Sequence, residues 1–463
     1  MESVKPKLII ISFVSAVALY GVLLFVGLSH IMAISAAITV LVAMLWVTEA
    51  LHIALPALIP FFAFPMAGVI SYQDAASALG NHVILLLMGA FMLSKSLEKS
   101  GVHQRLAVYL IRLTGANSAR RLVFGFMFTS AILSMWISNT ATTLMLLPIA
   151  LAIIHASNSP KLGVAVLLGI AYAASVGGVG TPIGTPPNII FMSVYQQTTG
   201  TEISFINWMK TGVPIVLVAL PLMALWLTRH LKGEKTGGLP DVGPWRSAEA
   251  RVLGVFTFVA MAWVFRPYWT AWFGMDFVGD STIALAGVVL MCVIPNGERE
   301  PTATGSKQGY LLDWNTAQQI PWGMLLVFAG GICLAQAFTA SGLSELLGQG
   351  LTGLAVLPLF LLVLVLCLSV SFVTEITSNT ATATLLMPIL ASAAVAIDVD
   401  PLILMMPAAI SASCAFMMPV ATPVNAIVYS SGELTVKTMV REGVVLNIIV
   451  AFVVTAGVLL TRT

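Results

Sequence analysis

Two short stretches place amide and hydroxyl groups in otherwise apolar surroundings. Ser138-Asn139-Thr140-Ala141-Thr142 returns 240 residues later as Ser378-Asn379-Thr380-Ala381-Thr382. The likeness covers twelve positions, Ser138 to Ile149 against Ser378 to Ile389, and eight of them are identical. Amides and hydroxyls donate to carboxylate oxygens and lend oxygens to small cations. Inside a hydrophobic segment such a cluster is costly unless satisfied, so it marks a functional site. A second pair follows each copy. Gly184-Thr185-Pro186-Pro187-Asn188 corresponds to Ala421-Thr422-Pro423-Val424-Asn425 at an offset of 237. Prolines and glycines there cannot hold a continuous helix, so both stretches are predicted to be unwound between half-helices. A single hydroxyl in a membrane helix is usually structural, and glycine and proline are common in such helices. Two motifs recurring in the same order are a different matter: they mark a transporter built from internal repeats.

In the sequence, no Lys or Arg lies near either repeated motif or either break. An anion would therefore be held by neutral donors and by half-helix N-termini, whose free N–H groups favour negative charge. Asn139, Thr140, Asn379 and Thr380 are the donors at hand. Two such tips facing each other across a pseudo-two-fold axis suit a substrate with two anionic ends. Neutral donors compensate charge weakly, and a bound cation would supply the rest. Sodium prefers oxygen ligands, and unwound segments present free carbonyls. Ser134 and Ser138 beside Asn139 are predicted to face Gly184, and Thr374, Thr377 and Ser378 beside Asn379 to face Ala421. The reading is one sodium site in each half. Glu375 precedes the second motif, but its first-half counterpart is Met135, so it has no duplicated role. It either supports the hairpin tip or couples directly. Glu49, His52, His82, His103 and His155 fall near predicted span ends and read as interfacial.

These residues must be positioned by membrane helices. Of 463 residues 59% are hydrophobic and 9% charged, whereas soluble domains run near a quarter charged. Runs of about 20 apolar residues, enough to span a bilayer, recur along the chain. The net charge of +2 points to no nucleic-acid partner. The four cysteines, Cys292, Cys333, Cys367 and Cys414, lie in apolar segments without metal-ligand spacing and read as core. The N-terminal run 8–28 is too long for a signal-peptide core and is kept as the first span.

The predicted fold class is an all-α polytopic membrane protein. It has about eleven transmembrane helices and two re-entrant helical hairpins in an inverted repeat. The hairpins are 122–154 and 354–390, with the repeated motifs at their tips. The broken spans are 162–194 and 402–429. The third span, 53–70, contains three prolines and reads as kinked or partly interfacial. A polar linker, 229–251, divides the halves. This count puts the N-terminus in the cytoplasm and the C-terminus outside. It also assigns 18 of the 21 Lys and Arg residues to cytoplasmic segments, leaving Lys210, Arg266 and Arg462. The bias is the one expected of a correct count. The predicted parts are 1–115 and 231–345, forming a scaffold, and 116–230 and 346–463, forming a transport unit.

The paired Ser-Asn-Thr motifs, Thr185 to Asn188, and Ala421 to Asn425 resemble those of the divalent anion:sodium symporter family, the sodium-coupled di- and tricarboxylate carriers. The resemblance covers nearly the whole chain. It implies a homodimer in a plasma membrane, with an elevator-type transport domain moving against a scaffold. It also implies that substrate meets Asn139, Thr140, Thr185, Asn379, Thr380, Thr422 and Pro423. Sodium would meet Ser134, Ser138, Asn139 and Gly184 in one half and Thr374, Thr377, Asn379 and Ala421 in the other. The expected activity is sodium-driven symport of C4-dicarboxylates such as succinate, malate and fumarate. Carboxylate exchange and sulfate or citrate transport are the family's alternatives. The intact hydroxyl and carbonyl positions favour symport. An enzyme is not expected, since no HExxH zinc motif is present.

Overall fold

The computed structural model describes residues 4–115, 118–157, 159–231, 242–302, 305–350 and 357–462. Lys232 and Lys235 of the linker, and Leu354 at the expected start of the second hairpin, lie outside the described residues. The first half opens with α1 (Pro6–Phe25) and α2 (His30–Thr48), which pack together. The short α3 (Ile59–Met66) and α4 (Tyr72–Leu79) follow, then α5 (His82–Ser100) and α6 (Val102–Thr114). Next come α7 (Ala119–Ser134), α8 (Asn139–Ser157), α9 (Pro160–Gly178), α10 (Pro186–Thr199) and α11 (Phe205–Leu227).

The second half starts with α12 (Ser247–Val264), α13 (Arg266–Phe273) and α14 (Asp280–Val293). Strands β1 (Pro295–Thr302) and β2 (Gly305–Tyr310) pair antiparallel, and α15 (Trp314–Ala317) follows. Then come α16 (Trp322–Ser341), α17 (Leu343–Gly350), α18 (Leu359–Val373), α19 (Asn379–Ala396), α20 (Pro401–Ala412), α21 (Pro423–Tyr429) and α22 (Val436–Arg462).

The repeat is visible helix by helix. Pair α5–α6 matches α16–α17, hairpin α7–α8 matches α18–α19, broken helix α9–α10 matches α20–α21, and α11 matches α22. Gly101 (φ 76°) ends α5 and Gly342 (φ 75°) ends α16. Both hold the left-handed conformation that glycine adopts without steric cost, so the chain turns at the same place in both halves. Burial separates the inner helices from the outer ones. On α1, Ile10, Phe13 and Val14 are exposed, as on a helix solvated by lipid, while α9 is buried nearly from end to end. Close packing of α9 on α7 depends on Gly177, where a Cβ would collide with the Ala131 backbone.

The structure adds detail to the expectations in three places. Ten helical stretches among the described residues are long and apolar enough to cross a bilayer, among them the hairpin arms α8 and α19, while α14 and α20 are shorter apolar helices. The third expected span is a 3-10 turn, Pro56–Leu58, followed by the eight-residue α3. The two run together as one apolar helical stretch, Pro56–Met66, with Pro65 inside it. Secondly, the fold is not purely helical, because β1 and β2 form a small hairpin between α14 and α15. Arg251 Nη1 donates to the Pro295 carbonyl at 2.6 Å, and Lys99 Nζ to the Tyr310 carbonyl at 3.2 Å. Just beyond, Asp313 caps α15 and pairs with Lys99 at 2.6 Å. Burial opposes the Asp313 charge, but Lys99 and the Thr316 N–H outweigh it and hold the carboxyl at about 2.

Thirdly, the basic stretch after α5 is the amphipathic helix α6, with Val102, Ala107, Val108 and Ile111 buried. Arg105 is buried on it, paired with Glu249 at 3.0 Å and donating to the Gly243 and Pro244 carbonyls at 2.7 and 2.6 Å. His103 lies in the same corner, buried against the Leu97 carbonyl at 2.9 Å, and is not an exposed interfacial group. Burial pushes its imidazole below the usual range.

Candidate functional site

Both hairpins turn at their repeated motifs. Helix α7 ends at Ser134 and α8 starts at Asn139; α18 ends at Val373 and α19 starts at Asn379. The breaks lie between α9 and α10 and between α20 and α21. The helical starts at Asn139, Pro186, Asn379 and Pro423 all border one cavity of about 890 Å³. All seven expected substrate residues line it: Asn139, Thr140, Thr185, Asn379, Thr380, Thr422 and Pro423. Ser138, Gly184, Thr377 and Ala421 line it too. Ser134 and Thr374 do not; each is fully buried behind its asparagine.

The two halves build matching polar clusters. Ser134 Oγ donates to Asn139 Oδ1 and sits 2.7 Å from the Ala174 carbonyl. Thr374 Oγ1 donates to Asn379 Oδ1 at 2.7 Å and sits 3.0 Å from the Ala412 carbonyl. Asn188 Nδ2 bridges the Gly178 and Thr181 carbonyls at 3.1 and 2.8 Å. Asn425 Nδ2 bridges the Ala415 and Met418 carbonyls, both at 3.0 Å. Each amide thus closes its unwound loop over seven residues, by donating to the carbonyls left free by the missing helix. A Cβ added at Gly178 would lie 2.8 Å from the Gly184 carbonyl and 3.1 Å from Asn139 Oδ1, so these oxygens gather round one glycine. The Oδ1 atoms of Asn188 and Asn425 are buried with no partner among the described residues. Such unpaired oxygens are costly unless something fills the coordination. An oxygen-seeking cation fits this donor set.

Ser138 and Thr377 play more local parts. Ser138 Oγ accepts from Ala141 N at 3.1 Å and caps α8. Thr377 Oγ1 contacts Thr382 Oγ1 at 2.6 Å and donates to the Val373 carbonyl at 2.9 Å. The halves are also joined directly, by Thr185 Oγ1 and Ser413 Oγ at 3.1 Å.

Glu375 has a definite place. Its carboxylate accepts from the backbone N–H groups of Phe416 (2.6 Å), Met417 (2.9 and 3.0 Å) and Met418 (3.0 Å), and from Asn447 Nδ2 (2.9 Å). It holds the start of the second break and does not line the cavity. The first half solves the same problem without charge: Thr181 Oγ1 donates to the Met135 carbonyl at 2.5 Å.

Charged side chains outside both motifs also line the cavity. Lys95 lines the cavity although it is distant in sequence from both motifs, so the site region is not free of basic side chains. Glu49, at the end of α2, also lines it. Sequence reasoning gave Asn188 and Asn425 no role of their own. Their recurrence at the 237-residue offset was the available signal.

Comparison with known proteins agrees with this geometry. A family model described as "Citrate transporter" (CitMHS) matches residues 43–406. The sodium-dependent dicarboxylate transporter SdcS of Staphylococcus saprophyticus is 38% identical over 436 residues, covering 89% of this chain and 83% of that protein. The chain belongs to the divalent anion:sodium symporter family. A second relative within it, SdcS of Staphylococcus aureus strain RF122, is 38% identical over 441 residues, covering 90% of this chain and 84% of its own. Among solved structures, the YdaH transporter of Alcanivorax borkumensis matches with a TM-score of 0.53 at 14% identity. That match covers 83% of this chain and 86% of that one, and it supports a shared fold.

Proposed function

We propose that the protein is a sodium-coupled symporter of C4-dicarboxylates, working by an elevator-type alternating-access cycle as a homodimer. The observation that carries the reading is the meeting of both hairpin tips and both breaks around one cavity. One carboxylate is held by Asn139, Thr140 and Thr185, the other by Asn379, Thr380 and Thr422, with the Pro423 ring in contact with the substrate. The helix N-termini behind these residues add their positive ends. One sodium ion is held among Ser134, Ser138, Asn139 and Gly184, and another among Thr374, Thr377, Asn379 and Ala421. Each asparagine touches both ion and substrate, so binding of one improves the site for the other. That sharing is the coupling. The SdcS relatives are named for sodium and dicarboxylate, which supports the substrate class.

The cavity's rim includes Glu49, Lys95, Glu98 and Gln319. The basic-residue bias puts these on the cytoplasmic side, together with the N-terminus, and the C-terminus outside. On this reading the site faces the cytoplasm. Segments 116–230 and 346–463 form the moving unit and the remainder the scaffold.

The test is succinate uptake into proteoliposomes under an inward sodium gradient, with an equal potassium gradient as control. Uptake with sodium alone supports the reading. Uptake that ignores sodium but needs internal succinate would make the protein an exchanger. Uptake of citrate in place of succinate would move the substrate class toward tricarboxylates.

A further inference from the structure

The cavity reaches beyond the hairpin tips. Its rim carries Lys95, the one basic side chain among the described residues that line it. Lys95 Nζ is 2.6 Å from Glu98 Oε2, one turn further along α5, and both side chains are about a quarter exposed, at 27% and 25%. A pair of this kind, open to water, is held weakly. The lysine can leave Glu98 for another carboxylate at little cost.

The inverted repeat supplies a comparison within the same chain. The turn at Ser100-Gly101 recurs at Ser341-Gly342, an offset of 241. The same offset carries Lys95 to Gln336 and Glu98 to Thr339 on α16. The second half thus has an amide where the first has an ammonium, and a hydroxyl where the first has a carboxylate. Gln336 does not line the cavity in this state, and its Oε1 is buried without a partner. The Ser-Asn-Thr motifs at the hairpin tips are identical in the two halves; this pair of positions is not.

We propose that Lys95 is a carboxylate-docking residue of the vestibule on the cytoplasmic face, a staging position for dicarboxylate leaving or entering the central site. Glu98 is its built-in competitor. When substrate is absent, Lys95 rests on Glu98. A dicarboxylate passing the rim takes the ammonium from Glu98, and Glu98 reclaims it as the substrate departs. The two faces of the carrier then differ: the cytoplasmic rim offers an ammonium, set against the carboxylates of Glu49 and Glu98, while the mirror position at Gln336 offers only an amide. The inference rests on the carrier reading and on the sidedness given above.

The experiment measures half-saturating succinate on each face, in vesicles whose protein orientation is fixed by side-specific inactivation of an engineered surface cysteine. Lys95→Gln should raise the value on the cytoplasmic face by about three- to fivefold, the size of one partly exposed charge pair, and leave the external value unchanged. Glu98→Gln should lower the cytoplasmic value, because it frees the lysine. The opposite signs are the test. If the pair only ties one turn of α5 together, both variants shift the cytoplasmic value the same way or not at all, and the inference fails. A change confined to the external face also overturns it. Absence of succinate uptake by the unaltered protein would fail the carrier reading itself, a distinct result from normal uptake with no Lys95 effect.

Discussion

Glu375→Gln is the perturbation whose consequence can be worked out most fully. The carboxylate accepts at Oε1 from Phe416, Met417 and Asn447, and at Oε2 from Met417 and Met418. A glutamine in the same pose keeps only one oxygen. With that oxygen at the Oε1 position, its NH2 group meets the Met418 N–H, a donor facing a donor. One buried unpaired donor costs about 1–3 kcal/mol. The three surviving bonds fall from charge-assisted to neutral strength, roughly 1 kcal/mol each. Relief from burying a carboxylate offsets part of this, leaving a net loss of about 2–4 kcal/mol. Strain appears where the second break begins, a few residues before the Ala421 carbonyl. The assay is thermal unfolding of the purified protein together with the sodium dependence of succinate uptake. Thermal stability should fall, and half-saturating sodium should rise about threefold or more, the response to roughly 0.7 kcal/mol lost at the cation site. The matched control is Met135→Leu, a volume-conserving change at the equivalent position that should cost under about 1.5 kcal/mol. A Glu375→Gln protein with unchanged stability and unchanged sodium dependence would refute the reasoning.

Other outcomes follow from the same geometry. Asn188→Ala and Asn425→Ala each remove an amide that bridges two loop carbonyls. Each should cost about 1–3 kcal/mol for the carbonyls left unpaired and weaken the sodium dependence of uptake; equal activity at low sodium in both variants would count against the loop-closing role. Thr380→Ala should weaken succinate more than sodium, because the hydroxyl lines the cavity; equal losses, read from uptake titrations of each, would make the tip structural.

Much of this arrangement was readable along the chain because it is written twice. Asn139 and Asn379, or Gly101 and Gly342, have no strong meaning alone, but pairs at nearly constant offset identify hairpin tips and turns. Apolar runs gave the rest of the membrane frame. What the sequence hid is what depends on three-dimensional folding back. Lys95 is 43 residues from Ser138, and only the return of α5 past the first hairpin puts it on the cavity rim. Glu375 could have pointed at the cavity or away; the N–H groups at Phe416 to Met418, free of helix bonds, decide it. The hairpin of β1 and β2 escaped notice because Pro295, Gly297, Pro301 and Gly305 read as loop formers and no alternating apolar pattern marks the strands. Helix α6 was masked by its charges, since Arg105 is buried through pairing with Glu249.

The central claim is that the two halves build one shared site for a dicarboxylate and sodium. Equilibrium binding of labelled succinate to the purified protein tests it without the transport cycle, in sodium and in potassium, with Asn139→Ala and Asn379→Ala alongside. Neither substitution should unfold the protein, because Ser134 and Thr374 keep their bonds to Ala174 and Ala412. The expected result is binding in sodium only, lost in both variants. Sodium-independent binding, or normal binding in either variant, would contradict the shared site.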